Sequence, residues 1–230
     1  SLPHWTDDTI AGVDPQTWVP ILEPSTDAKW GSEMWLSPSV VESVAACPLR
    51  WFLTSRGFSD PDDRRRLDIG ILIHDLAERF PNGGRAELLE AVEEGWKDIA
   101  ATMEDGLEKD SEYAAARSKV ENLSVYLATS PPADVEQAIR VDTDSFTVSG
   151  RIDRIEHSDD GPVIVDFKTG NRVPSEAEAE DNQQLKVYQW AYEKAVGTPS
   201  AGARLVFPVE TYKNGSPKTR SQKPLSDEDR

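Results

Sequence analysis

The 230-residue chain has one cysteine, no long hydrophobic run and a shortage of basic residues. The single cysteine, Cys47, excludes an internal disulfide framework and fits a reducing compartment. No apolar stretch approaches the ~20 residues that a membrane-spanning helix needs, and no signal-like segment opens the chain. We therefore expect a soluble protein with no membrane partner. Lys and Arg number 25 against 42 Asp and Glu, and this net charge of −17 argues against a broadly basic nucleic-acid clamp.

The charge is unevenly distributed along the chain. Ten acids and two lysines lie between Glu87 and Glu112, and we interpret this acidic run as a solvated helix face. Five bases and one acid lie between Arg204 and Pro224, so a local path for a polyanion remains open in that segment. The five bases are Arg204, Lys213, Lys218, Arg220 and Lys223.

Two regions differ in composition. Residues 1–35 contain four of the seven tryptophans and are interrupted by four prolines. This predicts an irregular arm or linker that packs on its own domain or on a neighbour. Residues 36–230 are expected to form the remaining domain.

The apolar periodicity of this domain changes from helical to strand-like after residue 132. Helices are predicted at 36–46, 67–80, 85–103, 111–130 and 176–197, the first with Ser37 as N-cap and an end at Pro48. Strands are predicted at 135–142, 146–157, 162–169 and 203–210. This order predicts an α/β fold with a central mixed sheet flanked by helices and an N-terminal helical portion.

The hairpin predicted over residues 149–170 carries an acid in each strand where a buried strand would have an apolar residue. Alternation places Asp166 and Lys168 on one face of the second strand. A turn centred between Asp159 and Asp160 puts Asp153 opposite Asp166, whereas a turn centred one residue later puts it opposite Lys168. Either register collects all three side chains on one face.

Two carboxylates on one buried face repel each other unless a cation lies between them or one is protonated. Mg²⁺ and Mn²⁺ prefer such oxygen ligands, and a lysine beside the ion suits phosphate binding or water activation. The alternative is a structural Asp–Lys ion pair at the end of a sheet. The hairpin alone does not decide between the two.

Two further helices carry polar residues in apolar surroundings. His74 is a candidate third metal ligand or a hydrogen-bonded core residue, and Glu78, one turn later, is a candidate supporting residue or further ligand. Gln184 and Tyr188 share a helix face after the second hairpin strand. They suit contact with a phosphate or with the lysine, although ordinary amphipathic surface gives the same pattern.

His74, the GRID of residues 150–153, the VDFK of 165–168 and the QLKVY of 184–188 together resemble the signature of PD-(D/E)xK nucleases of the RecB type. The segment LSPSVVESVAACPLRWFL (36–53) resembles the start of the nuclease domains that end bacterial helicase–nuclease subunits, most closely those of the mycobacterial AdnB type. The resemblance covers residues 36–210, with the core signature at 67–210. The leading proline of the motif is replaced by Val165.

The resemblance implies a restriction-endonuclease-like core and a divalent-metal-dependent deoxyribonuclease, an exonuclease that resects DNA ends in double-strand-break repair. The implied ligands of Mg²⁺ or Mn²⁺ are His74, Asp153, Asp166 and the backbone carbonyl of Phe167. The implied catalytic residues are Asp153, Asp166, Lys168, Gln184 and Tyr188. Lys168 would help to activate the water that attacks the phosphodiester. The basic segment that starts at Arg204 would be the DNA path.

Cys47 matches the first of four cysteines in the iron–sulfur members of this family. The sequence contains no other cysteine, so we expect no iron–sulfur cluster in this chain. Cys47 is then expected to be a small buried apolar residue.

The resemblance also implies partners and a compartment. These are DNA as single strands or unwound ends, a helicase motor in the same polypeptide, a partner helicase–nuclease subunit, and the bacterial cytoplasm. The chain would then be an excised nuclease domain that its arm tethers to the motor. The alternatives are an inactive module of the same fold that binds DNA or a partner, an adaptor with a protein-binding arm, and a different metal hydrolase.

Overall fold

The computed structural model describes residues 34–58 and 61–228, with only the backbone described for residues 61–64. The predicted arm therefore lies outside the described residues, apart from Met34 and Trp35. The elements, in chain order, are β1 (Met34–Leu36), α1 (Pro38–Ala46), α2 (Pro48–Ser55), α3 (Pro61–Arg79), α4 (Arg85–Ala100), α5 (Leu107–Thr129), β2 (Ala133–Asp142), β3 (Phe146–Ser158), β4 (Gly161–Phe167), α6 (Glu176–Glu180), α7 (Gln183–Val196), β5 (Gly202–Thr211) and β6 (Pro217–Gln222).

The sheet is mixed, with the strand order β1-β3-β4-β5-β6 and with β2 also paired to β3. The pairs β2–β3, β3–β4 and β5–β6 are antiparallel, whereas β1–β3 and β4–β5 are parallel. The parallel pair β4–β5 requires a crossover, which the α6–α7 segment supplies. The predicted α/β class with a central mixed sheet flanked by helices is confirmed.

The sheet is covered on both faces, and the alternation along β4 shows how. Val165 and Phe167 are buried against the layer formed by α3, α4 and α5. Ile164 is buried in the opposite layer, where Leu185 of α7 and Leu205 of β5 are also fully or almost fully enclosed. Each such side chain contributes about 1.5–3 kcal/mol by leaving water. Because both faces are packed, the register of β4 is strongly specified, and with it the direction in which its polar residues point.

The acidic run lies on α4, on the loop that follows it and on the first turns of α5, and nine of its ten acids are exposed. The interpretation as a solvated helix face is therefore confirmed. The apolar side of α4 carries Leu88, Val92 and Trp96 into the core. None of the helices within the described residues is long and apolar enough to cross a membrane.

Several predicted helix boundaries differ from the structure, and two of the differences have a clear local cause. The helix predicted over 176–197 is divided, because the Asn182 side chain accepts a hydrogen bond from the Leu185 amide at 2.8 Å and so begins a new helix. At the first helix, Pro48 ends α1 as predicted but also begins α2, where proline at the first position lacks only an amide that would be unpaired anyway.

Cys47 lies at the junction of α1 and α2, and its predicted burial is wrong. The residue is exposed. Its backbone is extended and its thiol accepts from the Arg50 amide at 3.5 Å, so it serves as the N-cap of α2. A residue that caps a surface helix lies at the outside of the fold, which apolar character alone does not predict.

The basic segment that starts at Arg204 forms parts of β5 and β6, and three of its five bases form ion pairs within the fold. Arg204 lies 3.1 Å from Glu156, and Arg220 lies 3.3 Å from Glu176. Lys218 pairs with Glu210. Three of the five bases therefore have carboxylate partners within the fold, and the DNA path along this segment stays a prediction.

Candidate active site

The polar residues of the hairpin meet at the carboxyl end of β4. The β3–β4 ladder runs from Ser158 opposite Gly161 to Arg154 opposite Val165, so the turn is centred between Asp159 and Asp160. This is the first of the two predicted registers. Continuing the ladder by one pair brings Asp153 opposite Asp166.

The Asp153 side chain replaces a backbone hydrogen-bond acceptor at the position where the β3–β4 ladder ends. Its Oδ2 accepts a hydrogen bond from the Phe167 amide at 2.8 Å. A side-chain carboxylate thus replaces the next backbone acceptor of β3, and this holds the acid against the end of β4. The contact fixes the position of Asp153 beside Asp166 without any help from a ligand.

Asp166 is 4% exposed, and its two oxygens differ. Oδ1 accepts from Gln184 Nε2 at 2.9 Å. Oδ2 forms an ion pair with Lys168 Nζ at 2.8 Å and has no further partner among the described groups. Burial raises the pKa of Asp166 and the Asp153 charge adds to this, while the Lys168 charge opposes it.

Gln184 connects the acid to the lysine. Its Nε2 donates to Asp166, and its Oε1 accepts from Lys168 Nζ at 2.5 Å. Gln184 is itself held by a residue that sequence reasoning did not select. The Glu42 carboxylate on α1 accepts from the amides of Gln183 and Gln184 at 2.7 and 3.2 Å, and so it caps the first turn of α7.

Tyr188 lies one turn after Gln184 but does not contact the lysine. Its hydroxyl donates to the Arg151 carbonyl at 2.8 Å, two residues before Asp153. Burial raises its pKa, so it remains a neutral hydrogen-bond donor. Tyr188 therefore fixes the β3 backbone that carries Asp153.

Close packing of α1 explains the glycine of GRID, because a Cβ at Gly150 would lie 2.9 Å from Pro38 Cδ.

His74 approaches the site from α3. Its Nδ1 lies 3.3 Å from Asp153 Oδ2, and its ring meets the Phe167 ring edge-on with 6.3 Å between centroids. Burial lowers the pKa of His74, but the hydrogen bond and charge of Asp153 outweigh burial, so that the net shift is upward. Glu78 lines the same cavity as His74 and makes no described contact with the two aspartates.

Glu136 is a further acid at the site, and no sequence pattern predicted it. Its neighbours on β2 pair with Ile152 and Arg154, so it faces Asp153 across the ladder. Its φ of 50° is the only positive value at a non-glycine position among the residues described. The side chain forms an ion pair with Arg151 at 3.1 Å. Burial raises the pKa of Glu136, and the Asp153 and Glu78 charges add to this.

The donor types suit a hard divalent cation such as Mg²⁺ or Mn²⁺, since two carboxylates and an imidazole converge here. The buried Asp166 Oδ2, whose one described partner is the Lys168 ammonium, has a lone pair left for such an ion. Within residues 34–58 and 61–228, however, no group of three or more His, Cys, Asp or Glu side chains is arranged closely enough to form a preformed cage. The residues thus fit the ion in chemistry, while their present contacts are to each other.

Comparisons with known proteins bear on the same residues. The sequence model of the PD-(D/E)XK nuclease superfamily matches residues 35–230. A solved structure titled "Crystal structure of SSO0001" is similar over 64% of this chain and 81% of that chain, with 15% identity and a TM-score of 0.30. No curated protein gives a significant match.

The family match spans the sheet, its helices and the cluster of Asp153, Asp166 and Lys168 at the end of β4. Nucleases of this superfamily generally use divalent metals. The order of strand, acid, second strand, acid and lysine is the one that the family name abbreviates. The proline of that name precedes the first acid, so Ile152, and not Val165, stands in its place. With a match over residues 35–230, the chain belongs to the PD-(D/E)XK nuclease superfamily.

Proposed function

We propose that this chain is a divalent-metal-dependent deoxyribonuclease of the RecB type, and an exonuclease module of a helicase–nuclease that resects DNA ends in double-strand-break repair. The observation that carries the proposal is the pair formed by Asp166 and Lys168. An acid that is 4% exposed keeps one oxygen without a hydrogen bond, 2.8 Å from an ammonium that is one-third exposed.

The residues that would hold the ion are Asp153, Asp166, His74 and the Phe167 carbonyl. When bound, a divalent ion lowers the pKa of a water and neutralises charge on the phosphate. The existing hydrogen bonds already hold the two acids at the end of β4, so few side chains have to be ordered during the reaction. Such preorganisation is a main source of catalytic power.

Lys168 is suited to act on the substrate because its ammonium reaches a cleft of about 680 Å³ that opens to solvent. The amide oxygen of Gln184 fixes the ammonium at 2.5 Å, and Glu42 fixes Gln184. In this position Lys168 would hold a phosphate oxygen or orient the attacking water. Gln184 and Tyr188 then act as positioning residues, one for the lysine and one for the strand that carries Asp153.

The helicase–nuclease context is supported by the resemblance of residues 36–53 and by the surface that they form. All eight residues of α2 are at least partly exposed, including Leu49 at 66%, Phe52 at 45% and Leu53 at 40%. A cluster of exposed large apolar side chains is typical of a contact with another domain or subunit. A helicase motor and a partner subunit are the proposed occupants, and residues 36–230 are the proposed nuclease domain.

Cleavage of an end-labelled single-stranded oligodeoxynucleotide in Mg²⁺ or Mn²⁺ tests the proposal. Wild type is expected to cleave only with metal, and Asp166→Ala and Lys168→Ala are expected to be inactive. The second candidate, an inactive module of the same fold, is favoured by the absence of a three-ligand cage within the described residues. It predicts DNA binding without cleavage, and no heat of Mn²⁺ binding that depends on Asp153 and Asp166.

A further inference from the structure

A cleft between α3 and α5, beside the active site, contains cations that the proposed chemistry does not use. We call it the Lys119 cleft, and its volume is about 640 Å³. The lining residues that matter here are Arg66, Glu112, Lys119, Thr169, Gly170 and Arg172. Thr169 and Gly170 directly follow Lys168 in the chain, so the cleft opens next to the catalytic lysine.

Lys119 is a half-buried ammonium without a carboxylate partner among the described residues. Its Nζ donates to the Thr169 carbonyl at 2.8 Å. Burial lowers its pKa, and the charge of neighbouring Arg66 lowers it further. Two cations that approach each other in a cleft disfavour one another, and a bound anion would offset this repulsion.

Three cations and one acid line the cleft: Arg66, Lys119 and Arg172 against Glu112. Glu112 contributes one carboxylate. Its Oε1 lies 3.6 Å from Arg65 Nη1, which pairs more closely with Glu108 at 3.0 Å, and its Oε2 is buried without a hydrogen-bond partner among the described groups. Arg172 pairs with Glu178, and both side chains are largely exposed, so the pair is weak and exchangeable. An arriving anion could therefore take over Arg172 at little cost.

The Lys119 cleft adjoins the cavities on either side of the active site. A cavity of about 670 Å³ contains His74 and Arg50 and shares Arg66 and Thr169 with the cleft. The cavity that contains Lys168 shares Gly170, Asn171 and Arg172 with it. A polymer that passes the catalytic lysine along this surface thus crosses the loop at residues 169–172 and reaches Lys119.

We propose that the Lys119 cleft is a subsite for a backbone phosphate of the nucleic-acid strand that is cleaved at Lys168. This rests on the proposed function, because the scissile phosphate and the bound phosphate belong to the same strand. Lys119 acts as a point charge that reads the backbone and not the bases. The same ammonium donates a hydrogen bond to the Thr169 carbonyl. It therefore positions the bound nucleic-acid strand relative to the loop that follows Lys168.

The test measures binding and cleavage separately. Binding of a fluorescein-labelled oligothymidylate of about 12 nucleotides, a length within typical single-strand site sizes, is followed by anisotropy in EDTA at several salt concentrations. Cleavage in Mn²⁺ gives kcat and KM. The variants are Lys119→Met, Lys119→Arg, and Lys97→Met as the matched control. Lys97 is solvent-exposed on α4 and pairs only with neighbouring Glu94 in the described part of the chain.

Lys119→Met is expected to make the plot of log affinity against log salt less steep by about 0.7, the value for one phosphate contact on a single strand. KM is expected to rise about tenfold, with kcat within about twofold of wild type. Lys119→Arg should restore the slope, and Lys97→Met should leave it unchanged. Glu178→Gln releases Arg172 from its carboxylate, so binding should tighten.

An unchanged salt slope in Lys119→Met overturns the subsite. So does a fall in kcat with an unchanged slope, since Lys119 would then act only through the Thr169 carbonyl. A wild type that binds with a Lys119-dependent slope but never cleaves contradicts the proposed nuclease and supports the subsite. A wild type that neither binds nor cleaves overturns both.

Discussion

Two buried carboxylates on neighbouring strands, Glu156 of β3 and Asp166 of β4, have opposite surroundings. Glu156 is 1% exposed, and both of its oxygens are satisfied: Oε1 accepts from Tyr126 at 2.9 Å and from Arg154 at 3.1 Å, and Oε2 accepts from Arg204 at 3.1 Å. Asp166 is nearly as buried but keeps Oδ2 without a hydrogen bond.

The remaining donors of the Glu156 network are also used. Arg154 donates to the carbonyls of Pro81 and Pro131 at 2.7 and 2.8 Å. Burial and the Glu156 charge raise the pKa of Tyr126 to about 12, so its hydroxyl stays a donor. A fully satisfied buried network serves the fold, whereas Asp166 Oδ2 has only the partly exposed Lys168 ammonium as a partner and can accept a further ligand. The two acids therefore differ in role because their hydrogen bonding differs.

The largest expected effect comes from breaking the structural network. Arg154→Met removes a buried cation from Glu156 and leaves two proline carbonyls without their donor. The free energy of unfolding in urea is expected to fall by about 3–5 kcal/mol. Arg151→Met is the matched control, because Arg151 is largely exposed on the same strand, and its unfolding free energy should change by about 0.5 kcal/mol at most. Equal losses of unfolding free energy in Arg154→Met and Arg151→Met would contradict the structural role assigned to the Glu156 network.

Metal addition is expected to stabilise the folded chain through Asp166 and not through Glu156. Mn²⁺ at about 100 times its Kd should raise the unfolding free energy of wild type by about 2.7 kcal/mol. Asp166→Asn should show no such increase, since the proposed ligand is lost, while Arg151→Met should respond as wild type does. Thermal unfolding with and without Mn²⁺ measures this. A metal response that persists in Asp166→Asn would place the ion elsewhere.

A smaller effect is expected at Glu42, which positions the active site from a distance. Glu42→Gln weakens the hydrogen bonds to the first turn of α7, and loss of such a cap costs about 1 kcal/mol. Because Gln184 is then less well fixed, kcat should fall by about tenfold while KM changes little. Steady-state cleavage together with urea unfolding checks this. A change in KM alone would mean that Glu42 contacts the substrate directly.

The pH dependence of stability gives the smallest and most specific effect. The pKa of Asp166 is raised in the folded state, so between the unfolded and folded pKa values the folded chain binds more protons. The contribution of Asp166 to stability therefore decreases as pH rises through this window, starting near pH 4. Subtracting the unfolding free energies of Asp166→Asn from those of wild type, both measured in EDTA, isolates the contribution of Asp166 ionisation to stability. A difference that grows with pH would contradict the raised pKa.

The fold could be predicted wherever the side-chain pattern was strong. The alternation around Asp166 and the turn at Asp159 and Asp160 predicted that Asp153 and Asp166 share one face of the sheet. The observed β3–β4 register then shows that Asp153 lies opposite Asp166 and not opposite Lys168. The strand β6 could not be predicted, because PKTRSQ has no apolar period and forms only by pairing with β5. The break at Asn182 was missed since a capping side chain interrupts a pattern that is otherwise continuous.

The site was predictable only in part. The sequence order of His74, Asp153, Asp166, Lys168 and Gln184 matched a family pattern, and the structure brings these five together. Their roles remain proposals. Glu42, Lys119 and Glu136 were not predicted, because each reaches the site from an element whose pattern is that of an ordinary helix or strand. Their positions depend on tertiary packing over separations such as the 142 residues between Glu42 and Gln184.

The most direct measurement compares the stability and the activity of Asp166→Asn. The account predicts an unfolding free energy in EDTA at least equal to that of wild type, because a buried charge is removed, and Mn²⁺-dependent cleavage lower by about 10²–10³-fold. A variant that loses several kcal/mol, as Arg154→Met is expected to, would show that Asp166 is a structural acid like Glu156. A variant that is stable and still cleaves would show that the reaction takes place elsewhere.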